Sequence, residues 1–196
     1  MITFDKETHT YWDENGINYP SVTKVLEEMG FVDSTWFDED SRVLGTYVHK
    51  AVELYNKGEL LEEDLDEQLA PYLDAWRRFK KNSDIVILNS ELQVHSDIFR
   101  YAGTLDIECT INGKEAIIDL KSGMVAPVTA LQLAAYVMAR YENYFGIKRY
   151  GLSLKGGKAS IKEFNDPQDF RIWQSLVAIY NYKLNNGIIK RVKNEI

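Results

Sequence analysis

The sequence predicts an α/β protein, with five β-strands interleaved with helices and a helical lobe ahead of them. Three observations carry this. Two stretches, about Gly103 to Thr110 and Glu115 to Lys121, read as strands and flank Asn112-Gly113, a pair that tolerates positive φ and marks a tight hairpin. Helical and strand periods then alternate along the rest of the chain. The 196 residues are 45% hydrophobic, enough for one domain with a sizeable core. The expected organisation is one unit: a hairpin and helical lobe over 1–82, a sheet core over 83–166, and a C-terminal helix and tail over 167–196.

Composition narrows the class. The net charge is −7, which weighs against nucleic-acid binding because that affinity rests on phosphate neutralisation. The charge is uneven, however. Residues 59–67 are acidic, whereas 77–81, 148–149, 155–162 and 190–193 are basic. A carboxylate metal site would itself add negative charge that its ions cancel. Cys109 is the one cysteine, which excludes an internal disulfide and a cysteine-held zinc or iron–sulfur site within one chain. No apolar run is long enough to span a bilayer, and Met1 to Asp5 lacks the pattern of a signal peptide, so a cytoplasmic protein with no membrane partner is expected.

The elements follow in order. Residues 2–19 read as short strands, with Asn15-Gly16 as a second hairpin signal. Ser21 is the expected N-cap of a helix whose stripe is Val22, Val25, Leu26 and Met29, stopped by Gly30. Phe31, Trp36 and Phe37 follow as packing aromatics. A helix over 41–57 ends at Gly58, with Val43, Leu44, Tyr47, Val48, Ala51, Leu54 and Tyr55 as its apolar positions. Another is expected over 62–81, with Leu65, Leu69, Tyr72, Leu73, Trp76 and Phe79 inward. Ile85 to Val94 is a strand. A helix runs from about Pro127 to Tyr144, strands cover Lys148 to Leu154 and Lys158 to Phe164, and a last helix covers Pro167 to Asn186. The tail from Lys190 to Asn194 reads as frayed.

The candidate chemistry centres on the hairpin. Asp119 and Lys121 are two apart, so they share a strand face, and an antiparallel partner can bring Asp106 beside them. Two carboxylates and an ammonium on an apolar-backed face are costly to leave unpaired. They suit Mg²⁺, which takes one or two carboxylates plus phosphate oxygens and water. The plainer alternative is a surface ion pair. Gly45, His49 and Glu53 are spaced by four and share a helix stripe. Gly45 inside a helix points to close approach by a backbone or ligand. His49 reads as a metal ligand or phosphate contact, or else as a histidine paired with Glu53. Glu91 is either an outer metal ligand or an exposed strand acid. Gln132 and Tyr136, one turn apart, either sit at a core edge or support Lys121.

The order of these pieces resembles the PD-(D/E)XK nuclease superfamily, in its RecB-like exonuclease branch. Gly45-Thr-Tyr-Val-His49 is similar to that branch's Gly-x-x-x-His motif. Gly103-Thr-Leu-Asp106 and Asp119-Leu-Lys121 resemble its two central motifs, and Gln132-Leu-Ala-Ala-Tyr136 its closing motif. The resemblance covers about residues 40–165. Pro20-Ser21-Val22-Thr23 is similar to a stretch ahead of the histidine motif in related phage and mitochondrial nucleases. The resemblance implies a restriction-endonuclease-like core, a central mixed sheet flanked by helices, and hydrolysis of DNA phosphodiesters with Mg²⁺ or Mn²⁺. It implies His49, Asp106, Asp119 and the Leu120 carbonyl as metal ligands, and Lys121 as the catalytic lysine. Gly45, Glu53, Glu91, Gln132 and Tyr136 are expected to support the site or the DNA. The iron–sulfur cysteines of some members are absent. The expectation is a cluster-free exonuclease of bacterial or phage kind, acting on DNA that is single-stranded or has free ends, alongside recombination or replication proteins. The alternatives are a non-catalytic DNA-binding or regulatory module on the same fold, and a structure-selective endonuclease. Trp36, Tyr47 and Trp76 are either within reach of a threaded strand or simply core.

Overall fold

The computed structural model describes residues 2–5, 10–32 and 39–190. Trp36, Phe37 and the tail beyond Lys190 lie outside the described residues. A small antiparallel sheet contains β1 (Ile2–Asp5), β2 (Thr10–Asp13) and β3 (Asn18–Tyr19), in that order. Helices α1 (Val22–Glu28), α2 (Glu39–Lys57) and α3 (Ala70–Asn82) follow. The main sheet has the order β4 (Ile85–Ser96), β5 (Tyr101–Ile111), β6 (Lys114–Lys121), β7 (Lys148–Ser153) and β8 (Ser160–Glu163). Helix α4 (Thr129–Arg140) joins β6 to β7, and α5 (Gln168–Asn185) follows β8.

The main sheet is mixed: β6 and β7 run parallel, and its other neighbours are antiparallel. A parallel pair needs a crossover, which α4 supplies. Between β5 and β6 the two-residue turn is the expected one, with Asn112 at φ 50° and Gly113 at φ 71°. Both faces of the sheet are covered. On one side Val22, Leu133, Tyr101, Trp173 and Val177 build a core from α1, α4 and α5. On the other, Val48, Val52, Leu73 and Trp76 of α2 and α3 pack on Ile107, Ile118 and Leu152. The small sheet is tied to the start of β5, where Ala102 N–H donates to the Pro20 carbonyl at 3.0 Å.

Several expectations are corrected. The helix expected over 62–81 is a short 3₁₀ turn, Glu62–Asp64, followed by α3 from Ala70. Pro71 explains this, because proline lacks an N–H and clashes with the preceding turn, so it is tolerated only at a helix start. Helix α4 stops at Arg140, four residues early. Tyr141 turns extended, and its hydroxyl donates to Glu108 Oε1 at 2.7 Å. Val43 and Tyr47 of α2 are exposed, and Val52 replaces them in the core. Trp76 is fully buried, its indole N–H donating to Asn56, so it is core rather than a surface for a strand. Asn15 does not take positive φ; instead the Asp13 carboxylate accepts from the N–H groups of Asn15 and Ile17. A further finding concerns Glu108, which is buried beneath α4 and satisfied by Asn89, Arg140 and Tyr141.

Ser21 caps α1 as expected, its Oγ accepting from Lys24 N–H at 3.0 Å. Ser21→Ala should therefore lower unfolding free energy by about 1 kcal/mol, the usual loss for an N-cap. Urea denaturation checks this, and an unchanged midpoint would show that the cap contributes nothing.

Candidate active site

The site forms where four elements meet. Helix α2 delivers His49, β4 delivers Glu91, β5 delivers Asp106, and β6 delivers Asp119 and Lys121. Strand register explains the meeting of the acids. The pairs Ser90–Ile107 and Leu92–Leu105 flank Glu91 and Asp106, which places these two opposite each other. Glu91 takes φ 53°, a left-handed conformation rare for a side chain of its type in a strand.

His49 Nδ1 lies 3.4 Å from Asp106 Oδ1 and 3.5 Å from Glu91 Oε1. These three residues offer ligand atoms within 4.8 Å of one another, the one such group among the described residues. Asp106 Oδ2 accepts from the Leu120 N–H at 2.6 Å, so Leu120 touches the site through its amide nitrogen. Asp119 is 1% exposed, and its carboxylate receives no well-aligned hydrogen bond. Its close partner is Lys121, with Nζ 2.8 Å from Oδ2. Lys121 also donates to Gln132 Oε1 at 3.3 Å, and Gln132 Nε2 donates to the Tyr136 hydroxyl at 3.1 Å. Two turns of α4 thus brace the lysine.

The electrostatics follow from burial and proximity. Burial disfavours charge on His49, but Asp106 and Glu91 outweigh it and hold the imidazole well above its ordinary pKa. Burial would also raise Asp106, yet His49, Lys121 and the Leu120 N–H hold it below the usual range. Glu91 is raised, by burial and by Asp106 against the pull of His49. Burial pushes Asp119 up to about 6, with Asp106 adding and Lys121 opposing. Lys121 is raised, since Asp119 and Asp106 together exceed its burial. When all are ionised, three carboxylates face two cations, and one negative charge is left over.

The remaining candidates divide. Glu53 pairs with Lys50 at 2.8 Å and Lys57 at 2.5 Å, not with His49, and is outside the ligand group. A Cβ at Gly45 would meet Ser122 Oγ at 3.4 Å, ordinary contact, so the approach is close but does not by itself demand glycine. Asp119 is likewise outside the group of three, one step further along the sheet. Two neighbours had no signal in the sequence. Tyr11 of the small sheet is buried, its hydroxyl bonded to Thr104 Oγ1 at 2.9 Å, two residues before Asp106. Gly103 lies under the Tyr136 ring, where a Cβ would come within 2.6 Å of Cε1. The site position of Glu91 could have been found by counting back from the turn at residues 97–100, which sets the register.

No family model matches this sequence, and no curated protein does. Solved structures show the likeness of fold. A protein of Eubacterium rectale, provisionally assigned as an exonuclease, is 16% identical, with 88% of this chain and 77% of that one covered and a TM-score of 0.51. LHK-Exo, solved in complex with dAMP, is 12% identical, with 87% of this chain and 89% of that one covered and a TM-score of 0.49. The mixed α/β fold, a five-stranded central sheet flanked by helices, is shared with the first of these.

The Gly103–Tyr136 contact makes a direct prediction. Gly103→Ala should destabilise the fold by about 1–3 kcal/mol through overpacking. In a Tyr136→Ala background, where only the Val22 methyl at 3.3 Å remains close, the same change should cost much less. Urea unfolding of the four proteins measures this coupling, and an equal loss in both backgrounds would place the strain elsewhere.

Proposed function

We propose that this protein is a metal-dependent nuclease that hydrolyses DNA phosphodiester bonds, beginning at the free ends of single strands. The observation that carries the reading is the excess of carboxylates: half-buried Glu91 and Asp106 converge with buried Asp119, and the Asp119 carboxylate lacks an aligned donor. Such an arrangement suits a site built to receive a divalent cation.

The donor set fits that ion. One imidazole nitrogen and two carboxylates lie within ligand reach of one another, and Asp119 adds charge beside them. His49, Glu91 and Asp106, with Asp119 alongside, would hold Mg²⁺ or Mn²⁺, which would supply Lewis acidity to the phosphodiester and to a water. The chain's own groups do the rest. His49, protonated in the ion-free fold, would lose its Nδ1 proton to solvent as the ion takes its place between the acids. The Leu120 N–H fixes one oxygen of Asp106, leaving the other toward His49. Lys121, braced by Gln132, keeps an ammonium where charge builds on a phosphate oxygen in the transition state. Tyr136 orients Gln132 and so acts through it.

The preference for strand ends is supported by size and charge. A chain of net charge −7 has little basic surface for gripping a duplex along its length. A single strand can be held by a few cations and by stacking, worth about 1–3 kcal/mol per base. The biological setting proposed is end processing in repair, recombination or replication.

The test is a cleavage assay with Mn²⁺. Linear single strands should be degraded progressively, blunt duplex more slowly and closed single-stranded circles hardly at all. Lys121→Ala should cut the rate by about 100-fold or more while Mn²⁺ binding is largely kept. Asp106→Asn should lose both. Absence of cleavage on every substrate would end the nuclease reading. Circles cut as fast as linear strands would replace end-dependence with endonuclease action, and equal loss of metal binding in both variants would remove the distinct role of Lys121.

A further inference from the structure

We propose that the connection between β7 and β8, together with β8 itself, forms a phosphate-gripping track for a single-stranded nucleic acid, with Lys155, Lys158 and Lys162 as its cations and Arg78 behind them. The identity of the ligand rests on the nuclease reading above.

Position comes first. Strands β6 and β7 are parallel, Lys121 pairs with Ser153, and Leu154 N–H donates to the Lys121 carbonyl at 2.8 Å. The chain that leaves β7 therefore departs from the end of the sheet where Lys121 stands. Register then fixes Lys162. Asp119 pairs with Gly151, and Gly151 pairs with Lys162. Residues paired across strands share a face, so Lys162 lies on the Asp119 face, two strand spacings or about 10 Å away. The intervening position is Gly151, and the space over it is filled by Val125 and Phe164, whose atoms a Cβ would meet at 2.5 and 3.2 Å, so an apolar step separates Lys162 from Asp119. Lys162 is exposed, with its ammonium 4.8 Å from the Phe164 ring centroid.

Charge points the same way. Residues 153–162 hold three lysines and no acid, in a chain of net charge −7. Among the described residues, Lys155, Lys158, Lys162 and Arg78 form no ion pair; Lys80, Lys81, Arg100, Lys114, Arg171, Lys183 and Lys190 also form none, and what sets the first four apart is their grouping about the β7–β8 connection. Four unneutralised cations around one turn repel one another unless an anion joins them.

The turn is also held in place. Gly156 and Gly157 take φ of 61° and 71°, which only glycine adopts cheaply. Arg78 Nη2 donates to the Gly157 carbonyl at 2.7 Å, and a Cβ at Gly157 would come within 3.3 Å of Pro71. Helix α3 thus anchors the loop that presents Lys155 and Lys158. A fixed loop loses less entropy on binding.

The experiment is fluorescence anisotropy with a labelled oligothymidylate, with Ca²⁺ in place of the catalytic ion, over a range of KCl concentrations. The triple variant Lys155→Ala, Lys158→Ala, Lys162→Ala should lower the log–log salt slope by about 2 and weaken binding on the order of a hundredfold at 0.1 M salt. Its hydrolysis of bis(p-nitrophenyl) phosphate, too small to reach the track, should match wild type. A control triple, Lys24→Ala, Lys114→Ala, Lys183→Ala, should keep both the slope and the affinity. Wild-type binding that is undetectable, a lysine triple that binds like wild type, or a control triple that weakens equally would overturn the track. Lysine-dependent binding without hydrolysis of any ester would leave the track standing and remove the nuclease reading. Cleavage with lysine-independent binding would do the reverse.

Discussion

Three carboxylates crowded against two cations set the terms for this molecule. Glu91, Asp106 and Asp119 are brought together at low solvent exposure with His49 and Lys121. Two unit charges 4 Å apart interact with about 4 kcal/mol near a protein surface. Desolvating each of them costs several kcal/mol, so such clusters rarely add net stability. Glu91 and Asp119 are pushed toward their neutral forms in the fold, whereas His49, Asp106 and Lys121 are held charged by their partners, so the cost of the cluster falls on those two carboxylates. The arrangement is better understood as a site kept at the expense of stability.

The surrounding architecture is what keeps it there. The parallel β6–β7 pair needs a crossover, and that crossover, α4, carries Gln132 and Tyr136 over Lys121. The close approach of Tyr136 is made possible by Gly103, three residues before Asp106. Helix α2 is packed by Val48, Ala51 and Val52, which leaves His49 directed at the acids. The left-handed backbone at Glu91 is strain of the kind that surrounding structure must over-determine. The hairpin that precedes α1 reaches the same region through Tyr11 and Thr104.

Much of this was legible in the sequence where the signal was local. Asn112-Gly113 fixed the hairpin, period two put Asp119 with Lys121, and a spacing of four put Gln132 beneath Tyr136. The capping of α1 by Ser21 was equally local. What failed was tertiary. The burial of Glu108 under α4 has no signal in the alternation of β5, because period two cannot reveal that helices cover both faces. The pairing of Glu53 with its own helix neighbours, Lys50 and Lys57, could be read as easily as a pairing with His49. The start of α3 is set by Pro71, which a periodic apolar stripe over 62–81 does not reveal. Tyr11 met Thr104 across 93 positions, a separation that no sequence pattern encodes.

The central claim is that the acid cluster is held against stability so that a divalent ion can enter. Glu91→Gln tests it most directly, because the two sides of the claim then move in opposite directions. The carboxyl of Glu91 is held above its ordinary pKa, so its ionised form costs stability in the ion-free fold. Thermal unfolding at neutral pH should show the ion-free variant with a melting temperature equal to or above that of wild type. Adding Mn²⁺ should raise the wild-type melting temperature, as any ligand of the folded state does, and raise that of the variant far less. An ion-free variant that melts lower while keeping the full Mn²⁺ shift would contradict the account, for Glu91 would then be a structural partner and not part of an ion site.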